Sequence, residues 1–164
     1  MIKIKVEINR KIYNRISSFK NHFKYFEKVE AVKNIFGDKT QEALSTLEVE
    51  FSEDTLYMRV DYDGRLIINP RYLEEGNFTD IYLDIIHELV HVKQVMNGKN
   101  CNHSLPYVKR PLEIEAYKTA VVEAKALGLD ENRILEYLDS DLINSDELVQ
   151  LASSVGINYE ESND

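Results

Sequence analysis

Apolar and polar residues alternate at the start of the chain. Ile2, Ile4, Val6 and Ile8 interleave with Lys3, Lys5 and Glu7, the two-residue period of a strand over residues 2–8. From residue 9 to 36 the apolar positions Ile12, Ile16, Phe19, Phe23, Phe26 and Val29 recur at helical spacing, which predicts a mostly helical stretch stopped by Gly37. Three short strands are expected next, over residues 46–51, 55–62 and 65–69, with Asp63-Gly64 as a two-residue hairpin turn between the last two. Asn69-Pro70 ends the hairpin, and the stretch to Gly76 reads as loop or a helical turn.

The second half of the chain carries two long helical patterns. Ile81, Ile85, Leu89 and Val92 mark a buried stripe over residues 79–97. Asn77 and Thr79 are both candidate N-caps, Asp80 and Asp84 suit the positive end of the dipole, and Asn97-Gly98 is the stop. After an irregular loop over residues 99–110, Pro111 suits a first helical position and Gly128 a C-terminal stop, with Leu112, Ala116, Ala120, Ala124 and Leu127 on one apolar face. Residues 131–138 and 145–155 read as two short helices, the second capped by Ser145 with Asp146 and Glu147 in its first turn, before a polar, frayed tail from 159 to 164. The pattern predicts an α+β fold: a small mixed or antiparallel sheet packed on the two long helices, with flanking N- and C-terminal helices. One domain over residues 1–164 is expected, with an N-terminal strand and helix (1–37), a core (46–128) and C-terminal helices with a tail (129–164).

Composition narrows the function. The 164 residues are 43% hydrophobic and 30% charged, enough to bury a core. A net charge of -9 argues against nucleic acid as a partner, because a phosphate-binding surface is basic. One cysteine, no long apolar leader at Met1–Glu7 and no apolar run of membrane-spanning length together predict a cytoplasmic protein, with no membrane partner. Oligomeric state is not legible.

The chemistry lies in the first long helix, at His87-Glu88-Leu89-Val90-His91. Residues four apart share a helix face, so both imidazoles can address one metal ion. Glu88 stands about 100° around from His87, where a general base for a metal-held water is needed. Asp84, three residues before His87, is either a carboxylate that orients a ligand imidazole or a simple dipole partner. A third ligand is needed to hold zinc while leaving one position for water. On the second helix Glu113 falls within the apolar face and Glu115 on its far edge. A carboxylate on a buried face must be paired or bound to metal, so Glu113 is the expected ligand and Glu115 the alternative. Glu123 is too far along the helix to share that ion.

These residues resemble the gluzincin metallopeptidases. His87-Glu88-x-x-His91 followed by Glu113, 22 residues after His91, is similar to their zinc helix and glutamate helix, and Glu113-Ile114-Glu115-Ala116 to their E-x-x-A pattern. Where several of these families carry Asp or Asn next, this chain has Tyr117. The resemblance spans residues 46–128 and the small size is most like the minigluzincins. It implies Zn2+ held by His87, His91 and Glu113, and a peptide or protein substrate. It implies hydrolysis of a peptide bond by a water from which Glu88 takes a proton for the leaving amine. It also implies a last strand of the sheet running along the cleft, for which Leu66-Ile67-Ile68-Asn69 is the candidate.

Donors that would help the oxyanion are His103, Tyr107 and Tyr117, and the sequence does not choose between them. Cys101 and His103 in the loop are either solvated or ligands closing the open zinc position in a latent form. His22 reads as structural. Peptide deformylase shares H-E-x-x-H but takes a ligand cysteine from upstream, whereas Cys101 lies downstream. The readings that compete with an active peptidase are a zinc-binding, non-hydrolytic module and a latent peptidase covered by its flanks.

Overall fold

The computed structural model describes residues 4–100 and 102–159, and its fold is mixed α+β. The chain forms two compact units that divide between residues 100 and 101.

The N-terminal unit is built on a four-stranded mixed sheet. In chain order its elements are β1 (Glu7–Ile8), β2 (Ile16–Ser18), α1 (Phe19–His22), β3 (Phe23–Lys24), α2 (Glu30–Phe36), α3 (Thr40–Thr46), β4 (Glu48–Phe51), β5 (Met58–Val60), β6 (Leu66–Ile68), α4 (Pro70–Glu75) and α5 (Phe78–Met96). The strand order is β2-β4-β6-β5, with β4 and β6 parallel and the outer pairings antiparallel; β1 and β3 form a separate ribbon. Helix α5 packs against α2 and β5.

The long helical stretch expected over residues 9–36 breaks up. Phe19, Phe23 and Phe26 are fully buried as the spacing implies, but their rings meet one another across a one-turn helix, a two-residue strand and a 3-10 turn (Phe26–Lys28). Spacings of four and three between aromatic residues satisfy a compact ring cluster as well as they satisfy a helix. Ile16, read as part of the same stripe, is 41% exposed on the outer strand β2. Tyr25 takes φ 74°, a left-handed conformation that ends any helix through it. The first strand is shorter than expected, and of its residues 2–8 the first two lie outside the described part.

The strands are shorter than the sequence implies and one turn differs. Gly64 N donates to Asp61 O at 3.0 Å and Asp61 N to Arg65 O at 3.0 Å, so the loop holds Tyr62, Asp63 and Gly64, three residues rather than two. Gly64 supplies the φ of 82° that such a loop needs before the second strand. Strand β6 is bonded on both sides, to β4 and to β5. Leu66, Ile67 and Ile68 are correspondingly buried on both faces, whereas Val49 and Phe51 of β4 alternate with the outward Glu48 and Glu50. The expectation that residues 66–69 form an open cleft edge is therefore wrong; among the described residues the outer strands are β2 and β5.

Asn69 and Asn77 place the motif helix. The stretch read as loop or turn is α4, with Pro70 at its first position and Asn69 Oδ1 accepting from Tyr72 N at 3.1 Å. Asn69 Nδ2 also donates to Thr55 O at 2.9 Å, holding the approach to β5. Of the two candidate caps for α5, Asn77 serves, its side chain accepting from Asp80 N at 3.1 Å. Eleven of the nineteen residues of α5 are buried, so this helix is enclosed on most of its circumference rather than on the single stripe read from the sequence.

The second unit contains a 3-10 turn (Tyr107–Lys109), α6 (Pro111–Ala126), α7 (Glu131–Leu138) and α8 (Ser145–Ser154). The 3-10 turn packs on α6 and α8, and α7 packs on α8. Ala116, Ala120, Ala124 and Leu127 are buried, while Glu115, Lys118 and Val122 are exposed, as the helical wheel requires. Asn144, not Ser145, caps α8: its side chain accepts from Glu147 N at 2.9 Å while Glu147 Oε1 accepts from Asn144 N at 3.1 Å, a reciprocal capping box. No helix among the described residues is long and apolar enough to cross a membrane.

Candidate metal centre

Helix α5 carries His87 and Glu88 into the interior, and His91 beside them is half-buried. His87 is 5% exposed and Glu88 6%. The flanking apolar residues Ile85, Ile86, Leu89 and Val90 are also buried, which fixes the rotation of the helix and aims the two imidazoles together. Their Nε2 atoms lie 3.1 Å apart, with the rings 4.8 Å between centroids and tilted at 76°. Two nitrogens bound to one tetrahedral zinc at about 2.05 Å stand roughly 3.3 Å from each other. The histidine pair is therefore already spaced as two ligands of one ion.

His87, His91 and Glu113 form a group that could hold a metal ion. Each offers one ligand atom, and the three atoms lie within 4.8 Å of one another. Glu113, near the start of α6, is 9% exposed, whereas Glu115 is on the exposed side of that helix and is not part of the group. Two imidazoles and a carboxylate are a borderline and a hard donor together, a set that suits zinc and also accepts cobalt or nickel. Burial of these groups costs desolvation that a bound cation would offset. Among the described residues six polar or charged side chains are buried, and four of them are His87, Glu88, Gln94 and Glu113.

Gln94 was not singled out by the sequence reading. Its Oε1 lies 2.7 Å from His91 Nδ1, one turn further along α5, and the side chain is only 3% exposed. A helical wheel could have found it: seven residues after His87 returns to within about 20° of the same direction. A polar residue on the face that carries both ligands is the signal.

Asp84 accepts a hydrogen bond from the Tyr72 hydroxyl. Burial first, then the Asp84 charge and this bond, push Tyr72 ionisation far above the ordinary tyrosine value. Tyr107 and Tyr117 bond hydroxyl to hydroxyl at 2.9 Å, ring edge against ring face, and the Arg110 guanidinium lies over the Tyr107 ring at 5.8 Å. His103 is exposed in the loop, and Cys101 lies outside the described residues. His22 is structural as expected: it is 4% exposed, its Nδ1 is 2.9 Å from Asn9 O, and its ring packs edge-on against Phe51.

Comparison with known proteins gave no family model, no curated protein and no solved structure that matches this chain.

Proposed function

We propose that this protein is a zinc-dependent metallopeptidase that hydrolyses peptide bonds. One observation carries the reading: the His87, His91 and Glu113 donor group lies beside a buried Glu88 in the helical order His-Glu-x-x-His. A bound Zn2+ would supply Lewis-acid polarisation and a water of lowered pKa. The chain's own residues do the rest. His87, His91 and Glu113 would hold the ion, and the enclosed helix α5 keeps the histidine pair rigid. Glu88 accepts the proton of the attacking water on a carboxylate oxygen and returns it to the leaving amine. Strand β5, which among the described residues pairs with β6 alone and packs on α5, offers its outer main-chain groups to an extended substrate.

The alternative of a metal-binding module without hydrolysis is less well supported. The full His-Glu-x-x-His order puts a carboxylate next to the ligand pair, where a general base for a metal-held water is needed, and a pure binder has no use for a base there. The test is cleavage of a mixed quenched-peptide pool by zinc-loaded protein, with Glu88→Gln as control. Cleavage that vanishes in the variant supports the peptidase, and the cut sites define its preference. Zinc bound at one equivalent with no cleavage by either protein would sink the peptidase reading in favour of the module.

A further inference from the structure

Gln94 faces the ring of His91 from the side away from His87. An amide can meet an imidazole in either of two ways, and each fixes a different tautomer. With its oxygen towards the ring, as the geometry has it at 2.7 Å, Gln94 Oε1 can only accept, so Nδ1 of His91 carries the proton. A neutral His91 then presents a lone pair at Nε2. That atom lies 3.1 Å from His87 Nε2, so the lone pair points to where the two rings would share an ion.

His91 already stands in the form a metal ligand needs, with its lone pair at the shared point. We infer that Gln94 is a positioning residue that locks the tautomer and ring orientation of His91, making it the preset anchor of the metal centre. The fold supports the lock: Gln94 is nearly fully buried, so water cannot compete for the Nδ1 proton, and the i,i+3 spacing on one helix leaves little freedom to either side chain.

This inference rests on the metal-binding part of the proposed function, and two measurements separate their failures. Zinc affinity by competition with a chromophoric chelator is compared for wild type, Gln94→Met and Gln94→Glu. Methionine keeps the shape without the acceptor and is expected to weaken zinc binding about 10- to 100-fold. Glutamate keeps an acceptor and is expected to restore affinity to the wild-type level or above. Equal affinity in wild type and Gln94→Met overturns the inference and leaves the metal reading intact. No zinc binding by wild type overturns the metal reading itself. Long-range 1H–15N spectra of the metal-free wild type need no variant: the expected result is His91 protonated at Nδ1, and His91 protonated at Nε2 overturns the inference whatever the affinities.

Discussion

The Tyr72 hydroxyl donates to Asp84, joining α4 to α5 one turn before His87. The bond lies within the N-terminal unit and helps set where the motif helix sits. Tyr72→Phe removes a donor from a charged acceptor and is expected to cost roughly 1.5–3 kcal/mol at neutral pH. The pH dependence identifies the cause. Tyr72 ionisation is raised by burial and by the Asp84 charge, so the folded protein keeps the phenol neutral where the unfolded chain loses its proton. The contribution is complete below about pH 10 and declines as pH rises further, by up to about 1.4 kcal/mol per pH unit. Urea unfolding at pH 7, 10 and 11 measures it. A wild-type decline above pH 10 no steeper than that of Tyr72→Phe would remove Tyr72 as its source.

Gly64 closes the β5–β6 loop at φ 82°, and a Cβ built there would meet Val95 Cγ1 of α5 at an ordinary 3.5 Å. Space is therefore not the obstacle to a side chain; backbone conformation is. Gly64→Ala is expected to cost about 1–2 kcal/mol, and Gly64→Asn less, because asparagine tolerates the left-handed region. Chemical denaturation of both variants tests the order. Equal loss in the two would point to the packing against Val95 instead.

How far the sequence could be read follows from where its signals were local. Helices α5 and α6 were legible because apolar spacing, a cap or N-terminal proline, and a glycine stop all agreed on the same stretch. Strand β6 was misjudged although its signal was present: Leu66-Ile67-Ile68 has no alternation, and a strand apolar on both faces belongs inside a sheet. Reading residues 55–69 as a hairpin hid the parallel partner β4, because nothing between residues 51 and 66 announces that pairing. The phenylalanines of residues 19–26 produced the opposite error, a tertiary ring cluster with a helical period. Helix α3 went unread: seven residues long, with no side-chain cap, it takes its helicity from packing against α1 and α2. At the candidate site, His87, Glu88 and His91 were legible as a motif. Glu113 was legible because a carboxylate stood on an apolar face, and Gln94 was passed over because glutamine carries no chemistry of its own.

A substitution at Glu88 tests whether binding and turnover can be separated. Its carboxylate is in the same helical turn as the ligand pair but is not in the donor group. Glu88→Gln conserves volume and is expected to keep one equivalent of zinc while lowering peptide hydrolysis by about 10²- to 10⁴-fold. Metal analysis beside the peptide assay checks both halves. Loss of zinc together with loss of activity would make Glu88 a structural support of the centre and not its base.

Glu113 and Glu115 provide the sharpest test of the third ligand. They stand two residues apart on α6, one buried and in the donor group, the other exposed. A two-residue offset on a helix turns a side chain by about 200°, so both cannot face the same ion. Glu113→Gln keeps size and a carbonyl oxygen but removes the charge, and is expected to weaken zinc binding by at least about 100-fold, more than a change outside the ligand set would produce. Glu115→Gln is expected to weaken binding by less than about fivefold, since a unit charge in water acts on a divalent cation with about 1 kcal/mol at roughly 8 Å and salt screens it further. Isothermal titration or chelator competition on the two variants decides. A large loss in Glu115→Gln with none in Glu113→Gln would move the ligand to the outer face of α6 and break the donor group as drawn. Losses in neither would reduce the centre to the histidine pair, which holds zinc too weakly for a resident cofactor and would take the peptidase reading with it.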